Sequence, residues 1–156
     1  MLMTFLDKQR HHVLGIVDGL SDEQTRRPIL PSGWTILAML RHLTVAVEHY
    51  WFQCIIAGAP LDHADFGSDW VVEPSASVST SLLAYREAIA RSNLVIESSV
   101  LDAAPRQTDP DLGDWKIPSV RFVLLHVLEE TACHAGHLDA ARELLDGRQW
   151  LVLESP

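Results

Sequence analysis

The sequence predicts an all-α protein, a four-helix bundle, on three observations. Four segments repeat apolar residues with helical spacing, the prolines and glycines concentrate between them, and no stretch alternates apolar and polar residues as a half-buried strand would. At 156 residues the chain suits one domain over residues 1–156, large enough to bury a continuous core unaided. No internal repeat or low-complexity tract divides it.

The first helix is expected from about Thr4 to Leu20, closing at Asp18-Gly19-Leu20. Ser21 and Gln24 then form a capping box for one short turn, which Pro28 and Pro31 end. Ser32 or Thr35 caps the second helix, which runs through LAMLRHLTVAVEHYWFQCIIA to Gly58, with Pro60 just beyond. Residues 60–75, rich in Asp, Gly and Pro, make a long connection between the second and third helices that permits a crossover. The third helix extends from Ser77 to about Val100. After the loop DAAPRQTDPDLGDWKI, Pro118 suits the first turn of the fourth helix and Gly147 its C-terminal cap. The closing WLVLE reads as a short extended tail.

Composition excludes several functions. Hydrophobic residues make up 47% and charged residues 21%, the balance of a globular chain rather than a disordered one. Twelve basic against twenty-one acidic residues leave a formal charge of −9, which provides no positive field for nucleic acid or an anionic membrane. The opening MLMTFLDKQRHH reaches Asp7 and Lys8 too soon to hold the apolar core of a secretory signal, and no 18-residue apolar run follows. A cytoplasmic protein is expected. Its two cysteines, Cys54 and Cys133, are too few for a disulfide scaffold and read as packed, reduced thiols.

The chemistry concentrates in the fourth helix. His126, Glu130, His134 and His137 follow at spacings of four, four and three, which align them because a helix advances about 100° per residue. By the same count Val123, Val127, Ala141, Leu144 and Leu145 project within about 60° of Glu130, whereas Asp139, Arg142 and Glu143 fall on the opposite side and mark solvent. Glu130 is therefore expected to point inward, where a carboxylate needs a proton, a strong donor or a cation. Glu130 and His134, one turn apart, bring an oxygen and an imidazole nitrogen to one point. His42, on the apolar side of the second helix near Met39 and Ala46, is the natural third ligand. His126 and His137 read as second-shell or substrate-facing groups. His49, two turns beyond His42, is a further second-shell candidate or a spectator. A single histidine on an apolar face is ordinarily a hydrogen-bonded core residue, and His11, His12 and His63, lacking ligand partners at suitable spacing, read as solvated.

The blocks LPSGWTILAMLRHL, LLAYREAIARS and LLHVLEETACHAGHLDAARELLDG resemble the DinB/YfiT-like family of four-helix metal-binding proteins over almost the whole chain. The run from His126 to His137, with Leu138-Asp139 and the closing Asp146-Gly147, is similar to an actinobacterial-type branch. The resemblance implies a metal held by one histidine of the second helix and two ligands four residues apart on the fourth, here His42, Glu130 and His134. Many relatives carry three histidines. The glutamate set resembles the branch that includes mycothiol-dependent isomerases and transferases. It further implies a divalent ion, zinc first with nickel or iron as alternatives, and a low-molecular-weight thiol co-substrate such as mycothiol, bacillithiol or glutathione.

The leading expectation is a metal-dependent S-transferase or isomerase that joins a thiol to an electrophilic small molecule. Loops at the site mouth, the Asp-rich segment before Trp70 and Asp114-Trp115-Lys116, would select the electrophile. A metal-dependent hydrolase, an iron oxygenase built on two histidines and a carboxylate, and a non-catalytic binding module, as a homodimer, are the alternatives.

Overall fold

The computed structural model describes residues 1–61 and 68–150. Helix α1 spans Leu2–Val17 and a single turn, α2, Asp22–Arg26. Helix α3, Ile36–His42, passes without a break into a π-helical segment, Leu43–Ile56. Helix α4 is Val78–Glu97, a 3₁₀ turn occupies Pro110–Leu112, and α5 is Val120–Asp146. Among the described residues there is no strand, and no helix is long and apolar enough to cross a membrane.

Local chemistry sets these boundaries. Gly19 takes φ +78°, a left-handed conformation that ends α1 three residues before the expected Leu20. Ser21 accepts from the Gln24 backbone while the Gln24 side chain accepts from the Ser21 backbone, completing the capping box. Thr35, rather than Ser32, caps α3 by accepting from Ala38, and Ser77 caps α4. Ser119 caps α5, so Pro118 lies outside the helix instead of in its first turn. Gly147, at φ +80°, closes α5.

The π segment is absent from any reading at 3.6 residues per turn. Where it begins, the Thr44 hydroxyl donates to the Leu40 carbonyl at 2.7 Å, a side-chain bond that competes with the regular backbone ladder. Its C-terminal carbonyls are met by the loop after α4: the Arg106 and Gln107 amides donate to Ile56 and Ile55.

Helix α1 packs along α5, and the π segment packs between α4 and α5. The core between them holds Val13 and Ile16 of α1, Leu40, Phe52 and Ile55 of the α3 unit, and Val127 of α5. Each such fully buried side chain contributes about 1.5–3 kcal/mol of transfer free energy.

The solvent face expected for α5 is corrected by this packing. Arg142 is buried, and its Nη1 donates to the Ile16 and Asp18 carbonyls at 2.7 and 3.0 Å, satisfying the open C-terminal end of α1. Asp139 is half-buried beside His12, while Leu144 is exposed. The core seam is Val123, Val127, Thr131, Ala135, Leu138 and Ala141, and the ionisable stripe lies at its edge rather than at its centre.

Candidate metal centre

Two structural elements bring the ligands together. His42 is the last residue of α3, just before the backbone widens, and Glu130 and His134 stand one turn apart in the middle of α5. One potential ligand atom from each of His42, Glu130 and His134 lies within 4.8 Å of the others. The His42 and His134 rings meet edge to face, with centroids 4.9 Å apart. His134 Nε2 is 3.3 Å from Glu130 Oε2.

The histidines are nearly enclosed, with side chains 16% and 14% exposed, whereas the Glu130 side chain is 37% exposed. Glu130 thus stands at the rim and does not point into the core as expected. The cluster sits near the bundle surface, with Glu130 as its most exposed member.

Each imidazole has an orienting partner. His42 Nδ1 lies 2.6 Å from Asp69 Oδ2, and Asp69 is itself buried. His42 Nε2 is buried with no hydrogen-bond partner. Trp70 stacks on His42 with centroids 4.5 Å apart and a 19° tilt. His134 Nδ1 is 3.4 Å from His137 Nδ1. Burial and the neighbouring His42 hold the His134 pKa below its ordinary value, which keeps the ring neutral and able to donate a lone pair.

His126 stands one turn before Glu130, between Trp51 and Trp115, with centroids 4.6 and 4.9 Å away. Burial lowers its pKa as well. His137 is exposed beside the Trp34 ring. His49 is exposed and lies 3.7 Å from Cys54 Sγ instead of joining the cluster.

Other expectations fare differently. Cys54 is buried, but Cys133 is exposed and not packed. His12 is buried, stacked on Trp150, with Nε2 2.8 Å from Asp139 Oδ2 at an angle outside hydrogen-bond geometry. It is not solvated, because α1 presses it against α5. His63 and most of the Asp-rich segment lie outside the described residues, as does the tail after Trp150.

Asp69 belongs to the Asp-rich segment before Trp70 that is expected to select the electrophile, and it instead bonds to His42. Its only advance signal was the abundance of aspartate in the connection, since no periodicity links a loop residue to a helix 27 positions earlier.

The donor set suits a divalent cation. Two neutral imidazole nitrogens and one carboxylate oxygen are the ligand types of catalytic zinc sites, and an orphaned buried His42 Nε2 backed by a carboxylate on Nδ1 is the arrangement that presents a histidine to a metal. Fold and site together define a helical-bundle protein of DinB-like type with a His/Glu/His candidate centre. A family model described as mycothiol-S-transferase matches residues 1–147, and the chain belongs to that family. No curated protein and no solved structure matched it.

Proposed function

We propose that the protein is a metal-dependent S-transferase of the mycothiol type, in which His42, Glu130 and His134 hold a divalent ion, zinc by preference. The observation that carries this reading is the buried, unpartnered Nε2 of a His42 ring already locked by Asp69. When bound, such an ion favours the deprotonated form of an incoming thiol at neutral pH.

The chain's own residues do the rest. Asp69 and His137 fix the two imidazoles, so little reorganisation is needed when the co-substrate arrives. Glu130, at the rim, contributes negative charge that offsets part of the cation's and keeps an approach open from solvent. His126, neutral and held between two indoles, lines the site face of α5 toward the electrophile. A cytoplasmic setting suits the free cysteines. A homodimer belongs to the same reading as an expectation.

The test pairs metal analysis with thiol consumption across several electrophiles, for the wild type, Glu130→Ala and His134→Ala. Both variants are expected to lose bound metal and transfer while keeping their helicity. Full transfer activity in a metal-free variant would overturn the reading.

A further inference from the structure

Helix α2 is a single turn, yet its side chains reach across the bundle. The capping box closes it, and the buried Thr25 hydroxyl donates to the Ser21 and Asp22 carbonyls. Asp22 and Arg26, one turn apart, share a side of this helix, and both bond to the connection that leads into α4. Asp22 Oδ1 accepts from the Val78 amide at 2.7 Å, one of the amides that α4 leaves without a helical partner at its start. Arg26 Nη2 donates to the Glu73, Pro74 and Ala76 carbonyls at 3.1, 3.0 and 2.5 Å, three charge-assisted bonds on one nitrogen.

The strap held in this way, residues 68–78, carries two side chains that meet His42. The Val71 amide donates to the Ser68 carbonyl at 2.9 Å, closing a turn whose central residues are Asp69 and Trp70. Asp69 bonds to His42 Nδ1, and Trp70 stacks on the same ring. Arg41, the residue before His42, donates from Nε to the Ser68 carbonyl at 3.3 Å. A second turn follows, closed by the Ala76 amide on the Glu73 carbonyl, and Arg26 bonds to both of those residues.

Apolar burial contributes little to holding this strap. Of residues 68–78 only Asp69 is buried, and Val72 borders two recesses of about 610 and 270 Å³. Polar ties therefore decide where it lies.

We propose that Arg26, together with Arg41, is a positioning residue for the metal centre: by clamping the two turns of the strap, the arginines hold Asp69 and Trp70 on His42 and so fix the direction and tautomer of its imidazole. For its effect on metal this rests on the His42, Glu130 and His134 reading. The clamp on the ring belongs to the metal-free protein as well.

Two measurements keep these apart. Cobalt(II) is titrated against a competing chelator into the wild type, Arg26→Ala, Arg26→Lys, Asp69→Ala and the variant with both alanines. In metal-free samples above the histidine pH range, NMR shifts of the His42 ring nitrogens report its tautomer. Arg26→Ala should weaken cobalt binding about three- to tenfold, less than removal of the ring's own partner. Arg26→Lys, whose ammonium also carries several donors, should recover part of that loss. On the Asp69→Ala background, Arg26→Ala should change affinity by less than about twofold, because the bond it supports is already gone. The wild-type ring should carry its proton on Nδ1, and Arg26→Ala should weaken that preference.

Unchanged affinity, or unchanged His42 shifts, in Arg26→Ala would overturn the proposal. So would an equal loss with and without Asp69, since Arg26 would then act on the bundle at large. Should Arg26→Ala fail to fold, Arg26→Lys and Asp22→Ala, which releases the strap at Val78, carry the same comparisons. If the wild type binds no cobalt, the metal-centre reading fails, and the His42 shifts alone decide whether α2 clamps the strap.

Discussion

Asp69 Oδ2 accepts a hydrogen bond from His42 Nδ1 at 2.6 Å, which leaves the buried Nε2 of the same ring without a hydrogen-bond partner. A ring held this way cannot flip or change tautomer without breaking a buried, charge-assisted bond.

Asp69→Ala should weaken metal binding about 10–100-fold while leaving the helices intact, because the residue lies in a connection and bonds to His42 of the centre. Chelator competition at neutral pH measures the loss, with circular dichroism as the control. Affinity equal to the wild type would show that His42 needs no orienting carboxylate.

The metal-free protein should lose stability as pH falls through the histidine range. Burial lowers the folded-state pKa of His126 below that of the unfolded chain, so the unfolded state binds more protons in this window. The stabilisation is fully present above about pH 6.5, the ordinary histidine value, and declines toward the lower folded pKa. Thermal melts between pH 5 and 8 should show this slope, and His126→Phe should reduce it, with His134, whose pKa burial also lowers, supplying the remainder. An unchanged slope in that variant would assign the effect to other groups.

Arg142 joins the ends of two helices, and its removal should be costly without touching the centre. Arg142→Ala would leave the Ile16 and Asp18 carbonyls without this donor and lose the contact with Asp146, a destabilisation of about 1–3 kcal/mol. Lysine should rescue only part, since a single ammonium cannot reproduce the forked geometry. Denaturant unfolding gives the loss, and metal content should stay at the wild-type level.

These examples divide what is legible in the sequence from what is not. Caps at Ser21, Thr35, Ser77 and Gly147 depend on residues within a few positions of one another, so local chemistry announces them. The meeting of Glu130 with His134 follows from a regular helix. Arg142 and His12 mislead because their burial depends on α1 lying along α5, a tertiary fact that a charge pattern reads backwards. Asp69 is hidden for a different reason: it reaches His42 from an irregular connection. In the π segment the angular count itself fails, and Glu48, which helical periodicity did not mark, is fully buried while His49 beside it is exposed.

Glu48 supports the last prediction. Its two oxygens accept from Arg10 Nε and Nη2, each at 2.7 Å, inside the core. Arg10 Nη1 also donates to Asp7 and to Asn93, and the guanidinium lies 5.7 Å from the Phe52 ring centroid. One buried cation thus ties α1 to the π segment and to α4. Burial alone would disfavour the guanidinium charge, but the field and hydrogen bonds of Glu48 outweigh it and raise the Arg10 pKa. Glu48→Gln keeps the shape and removes the buried counter-charge, leaving Arg10 with only the exposed Asp7 carboxylate as an ionic partner, and should cost about 2–4 kcal/mol. Replacing both partners together, as in Arg10→Met with Glu48→Leu, should recover most of that loss, because the desolvation of two ions disappears with their attraction. Urea unfolding of Arg10→Met, Glu48→Leu and the two together closes a double-mutant cycle that separates the two effects. If the single and double variants were equally destabilised, the pair would be holding the π segment's backbone geometry and not merely neutralising itself. Metal affinity at His42, six residues upstream on the same helical unit, would then fall in both.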